Sequence, residues 1–343
     1  MPEEYLHPNN IGKEDMTSTR IAVLDDYMQI AGELADWTSL PGQTETDFFY
    51  EKLPEGTNER AKILADYDVL VVTRERTPLP KELMERLPKL KFIASPEMHN
   101  RVIDFDYCRS RGIPVCGTTP RPSPTFELTW ALILALAKNV TIDDRAMRDG
   151  KWQTVVGTEI RGKTLGVIGL GRIGSEVAKV GNAFGMEVIA WSENMTFERA
   201  EECGATLVSK DDLFRRSDYV VVMLIQSDRT IGLVGAHEIG LMRPNAYLIN
   251  PARGPIVDET ALVEALKNKN IAGAGIDVYD VEPLPEDHPL RGMPNTVLMP
   301  HVAGFTREHY AHWYNGMLED VRAWLDGRII NEIHGSGVVA VRV

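Results

Sequence analysis

The stretch Lys163-Thr-Leu-Gly-Val-Ile-Gly-Leu-Gly-Arg-Ile-Gly174 decides how the whole chain reads. From Thr164 to Ile168, β-branched and apolar residues run together between a polar lead-in and a glycine, which is the pattern of a short buried strand. Gly169, Gly171 and Gly174 follow in the spacing G-x-G-x-x-G. From Arg172 to Phe184, Ile173, Val177, Val180 and Phe184 recur at helical intervals until Gly185 stops them. The local plan is strand, glycine turn, helix. In such a unit the first glycine makes the tight turn, the second lets backbone approach a pyrophosphate and the third lets helix pack on strand, with the helix N-terminus facing the anion. The setting, more than the glycines themselves, separates a dinucleotide site from a plain connecting turn.

Upstream, buried strands are read at Ile21–Asp25, Asp68–Arg74, Leu90–Ser95 and Ile113–Cys116, with helix-length segments between most of them. Downstream, strands are read at Glu187–Trp191, Tyr219–Met223, Ala246–Asn250, Gly273–Asp277 and Thr296–Met299, and helices at Lys210–Arg216, His237–Met242 and Glu259–Asn268. Alternation of this kind implies α/β architecture with parallel sheets covered on both faces. The prolines of Gly117-Thr-Thr-Pro-Arg-Pro-Ser-Pro124 break regular structure and mark a boundary. Two doubly wound domains are therefore expected, Rossmann-like and flavodoxin-like. Residues 1–122 form one, to which an amphipathic helix from Arg307 to Asp326 and the rest of 306–343 return; residues 123–305 form the dinucleotide-binding one. The segment from Thr125 toward Arg148 is apolar around its circumference, so it is expected to lie buried between domains or subunits. Residues 1–15 are assigned no fold.

Composition narrows the function classes. The chain has 343 residues, 43% hydrophobic and 25% charged, with a formal net charge of −13. That balance offers neither a basic surface for nucleic acid nor a lysine-rich face for anionic lipid. No apolar run reaches the ~20 residues that span a bilayer, and Met1 to Arg20 lacks the apolar core of a signal peptide. Cys108, Cys116 and Cys203 are odd in number and lack C-x-x-C spacing, which suggests reduced thiols in a cytoplasmic protein and no metal site.

In open α/β sheets ligands bind beyond the carboxyl ends of the strands. Three ionisable residues of the second domain stand there: Arg253 in Asn250-Pro-Ala-Arg-Gly254, Glu282 in Asp280-Val-Glu-Pro283, and His301 in Pro300-His-Val-Ala-Gly304. Reduction of a ketone by a nicotinamide needs a hydride donor, a proton donor and a group that holds and polarises the carbonyl. Histidine gives protons near neutral pH, a neighbouring carboxylate fixes its ring, and an arginine fork grips a carboxylate with two parallel hydrogen bonds.

The combination of Gly169-Leu-Gly-Arg-Ile-Gly174, Asn250-Pro-Ala-Arg-Gly254, Gly275-Ile-Asp-Val-Tyr-Asp-Val-Glu-Pro283 and Pro300-His-Val-Ala-Gly304 resembles the D-isomer-specific 2-hydroxyacid dehydrogenases, over roughly Ile21 to Asn331. The resemblance implies catalytic roles for Arg253 (substrate anchor), Glu282 (partner of the histidine) and His301 (acid/base). It implies a dinucleotide, NAD with NADP possible, held by Gly169, Gly171, Arg172, Ile173, Gly174, Ser192, Glu193, Ala252 and Asp277, with Asp277 on the nicotinamide carboxamide. Substrate would meet Met98, His99 and Arg253 in a cleft between the domains. The long helix after Ser123 would form part of a homodimer interface. The implied reaction interconverts a small 2-oxo acid and its D-2-hydroxy acid, as in glyoxylate or hydroxypyruvate reductases and phosphoglycerate dehydrogenases. A dinucleotide-sensing co-repressor of the same fold is the alternative, and an enzyme acting on formate or phosphite a more distant one.

Two departures bear on specificity. After Phe92-Ile-Ala-Ser95 the family has a Gly-x-Gly turn whose N–H groups receive the substrate carboxylate; here Pro96-Glu-Met-His-Asn100 replaces it, and positive φ would be costly for these residues. At the end of the second strand of the dinucleotide domain, Ser192 stands where an NAD enzyme usually has an acid for the ribose 2′-OH, with Glu193 beside it and no adjacent arginine for a 2′-phosphate.

Overall fold

The computed structural model describes residues 18–334. The chain divides into two compact units, one formed by residues up to Arg121 together with those from Arg307 on, the other by Pro122–Thr306.

The first unit is a parallel sheet of β1 (Thr19–Val23), β2 (Thr44–Phe48), β3 (Val69–Val71), β4 (Phe92–Ser95) and β5 (Val115–Gly117), in the order β2-β1-β3-β4-β5. Its helices are α1 (Ala31–Leu34), α2 (Thr57–Leu64), α3 (Lys81–Met84) and α4 (Phe105–Arg111). Every residue of β3, β4 and β5 is buried, so these strands read as continuous apolar runs. β2 is a strand beyond those expected. Its sequence, Thr-Glu-Thr-Asp-Phe, carries no apolar run because it is the edge strand and none of its residues is fully buried.

The second unit opens with α5 (Thr125–Ala137) and α6 (Val140–Arg148). Its sheet holds β6 (Thr164–Ile168), β7 (Glu187–Trp191), β8 (Thr206–Leu207), β9 (Tyr219–Val222), β10 (Tyr247–Asn250), β11 (Gly273–Ile276) and β12 (Thr296–Leu298). The strands are parallel in the order β12-β11-β10-β9-β6-β7-β8, so the winding reverses between β6 and β9. The helices α7 (Arg172–Ala183), α8 (Phe197–Glu202), α9 (Lys210–Arg216), α10 (Ala236–Leu241) and α11 (Glu259–Lys267) connect them. The last helix, α12 (Arg307–Leu325), packs on α1, β4 and β5 of the first unit.

The apolar segment after Ser123 departs from its expected place. It is two helices, bent by 64° where Asn139 takes a left-handed φ of 53°. Trp130, Leu132, Ile133, Leu136 and Ala137 of α5 are buried in the core of their own unit, with Leu165, Val167, Ile249 and Val297 of the sheet. The burial of α5, the first half of the segment, is thus intradomain. Exposed apolar residues lie further along the chain, with Val140, Ile142 and Met147 on α6 and Trp152, Val155 and Val156 in the segment between α6 and β6. No single helix among the described residues is long and apolar enough to cross a membrane. The expectation for residues 1–15 lies outside the described residues.

Candidate active site

Each glycine of the turn has a distinct physical reason. Gly169 takes φ +98°, and a Cβ there would meet the Met223 carbonyl oxygen at 2.8 Å. A Cβ on Gly174 would stand 2.0 Å from the Gly169 carbonyl oxygen, so only glycine lets α7 start this close to β6. Gly171, the N-cap of α7, has nothing within 4 Å of the same probe position. Open space lies where a pyrophosphate would approach the first backbone N–H groups of α7, which have no intrahelical acceptor. The turn fits a dinucleotide.

Beyond β10, the Asn250 side chain folds the chain over: its Nδ2 donates to the Arg253 carbonyl (3.0 Å) and its Oδ1 accepts from Ala252 N (3.2 Å). Arg253 Nη1 donates to the Ala252 carbonyl at 2.7 Å. Gly254 then lies against the loop that leaves β11; a Cβ there would fall 2.1 Å from the Tyr279 carbonyl carbon. In that loop Glu282 Oε1 accepts from Tyr279 N (3.0 Å) and Oε2 bonds His301 Nδ1 at 2.6 Å. Burial pushes the Glu282 carboxyl up, but the His301 bond, the Tyr279 N–H and the charges of His301 and Arg253 outweigh it, and the group lies below its ordinary value.

His301 itself adopts φ +56°, a conformation that costs a side-chain-bearing residue energy and persists only when its surroundings enforce it. Asp277 enforces it. Its two oxygens accept from Val302 N (2.8 Å) and Ala303 N (2.9 Å), which ties down the chain immediately after the histidine. Tyr279 Oη adds a bond to the Met299 carbonyl at 2.9 Å, which fixes the end of β12. Asp277 is fully buried, and burial raises its carboxyl above the ordinary value against those two N–H groups. With Nδ1 committed to Glu282, Nε2 is the ring nitrogen not used in that bond. Arg253, Glu282 and His301 are thus brought together at the carboxyl ends of β10, β11 and β12.

The other expected residues fall elsewhere. Ser192 follows β7 and is half-buried, while Glu193 is exposed. Arg172 and Ile173 open α7, and Ala252 lies in the turn after β10. In the first unit the loop after β4 avoids the costly positive φ angles: Pro96 to Asn100 are free of them. The loop rests on Gly117, where a Cβ would stand 2.5 Å from the Glu97 carbonyl oxygen. Met98 packs on the core of that unit, and Glu97 Oε2 lies 3.8 Å from His99 Nε2.

Sequence reasoning missed Arg199. The residue lies in the first turn of α8, where Thr196 Oγ1 accepts its backbone N–H, and its Nε and Nη2 donate to the Leu170 carbonyl at 3.1 and 2.9 Å. An arginine does reach the dinucleotide turn, then, from the helix after β7 rather than from the strand end. The capping threonine three residues earlier was the available signal. Among the described residues no group of three or more His, Cys, Asp or Glu side chains is placed to hold a metal ion.

A glycine turn shaped for pyrophosphate, with an arginine and a Glu–His pair at successive strand ends of the same sheet, defines a nicotinamide-dependent oxidoreductase. Residues 130–303 match the family model described as D-isomer specific 2-hydroxyacid dehydrogenase, NAD binding domain. The chain is 39% identical over 271 residues to a glyoxylate reductase of Aeropyrum pernix, covering 76% of this chain and 81% of that one. It is 40% identical over 245 residues to a D-3-phosphoglycerate dehydrogenase of Archaeoglobus fulgidus, covering 71% of this chain and 46% of that longer protein. A phosphoglycerate oxidoreductase from Vibrio cholerae superposes with a TM-score of 0.83 at 29% identity, over 90% of this chain and 99% of that one. The chain belongs to the D-isomer specific 2-hydroxyacid dehydrogenase family, NAD(P)-dependent enzymes acting on the CH–OH group of hydroxy acids. The co-repressor alternative finds no support in these likenesses.

Proposed function

We propose that this protein reduces a small 2-oxo acid of the glyoxylate or hydroxypyruvate kind to the D-2-hydroxy acid, with NADH as the preferred reductant. The observation that carries the proposal is the 2.6 Å bond between His301 Nδ1 and Glu282, next to Arg253 and downstream of the glycine turn. The turn from Gly169 to Gly174 would hold the reduced dinucleotide, whose nicotinamide would supply the hydride. Arg253 draws electron density toward the carbonyl oxygen and anchors the carboxylate, and His301 Nε2 delivers the proton that completes the alcohol. Glu282 keeps the ring oriented through its 2.6 Å bond to Nδ1. The unit from Pro122 to Thr306 takes the dinucleotide, and the unit containing Met98 and His99 takes the substrate. Preference for NADH over NADPH follows from Ser192 and Glu193, and from Arg199 being spent on the Leu170 carbonyl and on Glu202 at 3.3 Å.

The enzyme works as a homodimer through the apolar surface of α6 and residues 152–156. It works in the cytoplasm, in keeping with thiols that behave as small apolar side chains: Cys108 and Cys116 are buried, and burial pushes both up to about 12.

The test is steady-state turnover on a panel of glyoxylate, hydroxypyruvate, pyruvate and 3-phosphohydroxypyruvate with NADH and NADPH. His301→Asn is expected to lower kcat by ~10²–10⁴-fold, the range for a lost general acid, with NADH affinity unchanged by fluorescence titration. Wild-type protein inert across the panel, or a variant as active as wild type, sinks the proposal.

A further inference from the structure

A second histidine–glutamate pair lies behind the first. His288, the N-cap of the short 3₁₀ turn Pro289–Gly292, accepts the Leu290 N–H on its Nδ1 at 3.3 Å. That acceptance makes Nδ1 the lone-pair nitrogen and puts the proton on Nε2. Nε2 stands 3.0 Å from Glu259 Oε1, and both side chains are mostly buried, at 16% and 20% exposure. Glu259 opens α11, and its other oxygen, Oε2, accepts the Asp280 N–H at 3.4 Å. The peptide joining Tyr279 to Asp280 is the one pressed on Gly254, beside Arg253. The N–H of the same Tyr279 holds Glu282 Oε1. A continuous set of bonds therefore runs from His288 through Glu259 to the loop that orients Glu282, and through Glu282 to His301.

We propose that His288 and Glu259 are a positioning pair for the proposed reaction: they clamp the 279–282 loop so that Glu282 meets His301. Neither touches the reacting atoms. The inference rests on His301 acting as proton donor, and its test is built so that the two fail separately. His288→Ala removes the donor to Glu259 and releases the loop; His288→Gln keeps an N–H at a similar reach.

The expected result for His288→Ala is a kcat about tenfold lower, short of the ~100-fold that a 1 Å misplacement costs, with KM for the 2-oxo acid and NADH affinity within about twofold of wild type. His288→Gln should recover most of the loss, and Glu259→Asp, which shortens the brace by one methylene, should reproduce it should His288→Ala not fold. An activity-independent measurement accompanies the kinetics: the proton NMR signal of the His301 Nδ1–H bonded to Glu282, assigned by its loss in His301→Asn. It should weaken or vanish in His288→Ala and survive in His288→Gln. Unchanged kcat and an unchanged proton signal overturn the positioning role, as does a His288→Gln variant no better than His288→Ala. Wild-type protein without turnover, but whose proton signal still depends on His288, leaves the clamp standing and refutes the proposed reaction alone.

Discussion

Three carboxyl groups show how local bonds decide an ionisation that burial alone would push one way. Glu282 and Asp277 are both desolvated, yet Glu282 ends below its ordinary value because a histidine, a backbone N–H and a nearby arginine all favour its charge, whereas Asp277, with two backbone N–H groups, stays above. Asp320 on α12 has less help still. It is 1% exposed, accepts one bond from Asn331 Nδ2 at 2.9 Å, and leaves Oδ2 without a partner among the described residues. Burial pushes it from 3.8 to about 7. A carboxyl raised in the folded state binds its proton more tightly there than when unfolded. It therefore stabilises the fold fully below the unfolded pKa, and that contribution is lost as pH rises from about 4 toward 7. Asp320→Asn, which does not titrate, should gain on wild type as pH rises: by urea denaturation the difference between them is expected to move in the variant's favour by about 2 kcal/mol between pH 5 and pH 8. A constant difference across that range would show that Asp320 ionises as readily folded as unfolded. At this scale the sequence made Arg253, Glu282 and His301 legible, since each follows an apolar strand run. It hid Arg199 and the His288–Glu259 pair, whose partners lie 29 residues away in sequence. One of these contacts is to a backbone carbonyl, which leaves no mark in residue identity.

Elements were legible where burial was complete. Apart from β8, the strands of the second unit sit within a residue of their expected ends, and the shortening at β9, β11 and β12 comes where the chain leaves the ladder to place Met223, Asp277 and Met299. Asp68 falls outside β3 because its carboxylate caps the neighbouring strand, accepting the Arg20 N–H at 3.0 Å. The edge strands β2 and β8 escaped notice for the opposite reason, a lack of apolar burial. The break between α5 and α6 carried one weak signal, Asn139, a residue type that takes a left-handed φ more readily than most and here ends the helix with φ 53°. Packing between the β10 and β11 loops yields a sharper expectation. Since a Cβ on Gly254 would sit 2.1 Å from the Tyr279 carbonyl carbon, and backbone cannot swing aside like a side chain, Gly254→Ala must displace the 279–282 loop. Overpacking of this kind costs ~1–3 kcal/mol. The expected outcome is a correspondingly lower thermal midpoint by calorimetry, and a kcat loss exceeding that of His288→Ala because Arg253 moves as well. Retention of wild-type kcat would mean that the loop tolerates the shift.

At the scale of the molecule, each unit has its own sheet and its own core, and the sequence announced this through two runs of strand–helix alternation separated by the prolines near Pro120 to Pro124. The first half of the apolar segment, α5, is buried within its own unit and offers little to a second subunit. The exposed residues point instead to the surface formed by Val140, Ile142, Met147, Trp152, Val155 and Val156, with Trp152 74% and Val156 94% exposed. These six exposed apolar side chains fall within one short stretch of chain, and burying them is what a subunit contact would gain. Two copies each carrying a net charge of −13 repel one another, so the proposed dimer must draw its stability from burying this strip. Sedimentation equilibrium tests this in two ways. Raising salt from 0.01 M to 0.15 M shortens the reach of the repulsion from ~30 to ~8 Å and should tighten the wild-type dimer. Trp152→Glu combined with Val156→Glu removes apolar contacts worth about 3 kcal/mol and should weaken it ~100-fold, yielding monomer at micromolar concentration with an unchanged circular dichroism spectrum, because neither side chain belongs to a core. A double variant that sediments as wild type does would place the interface elsewhere, and a wild-type dimer loosened by salt would show that charge pairs, not this apolar strip, hold it together.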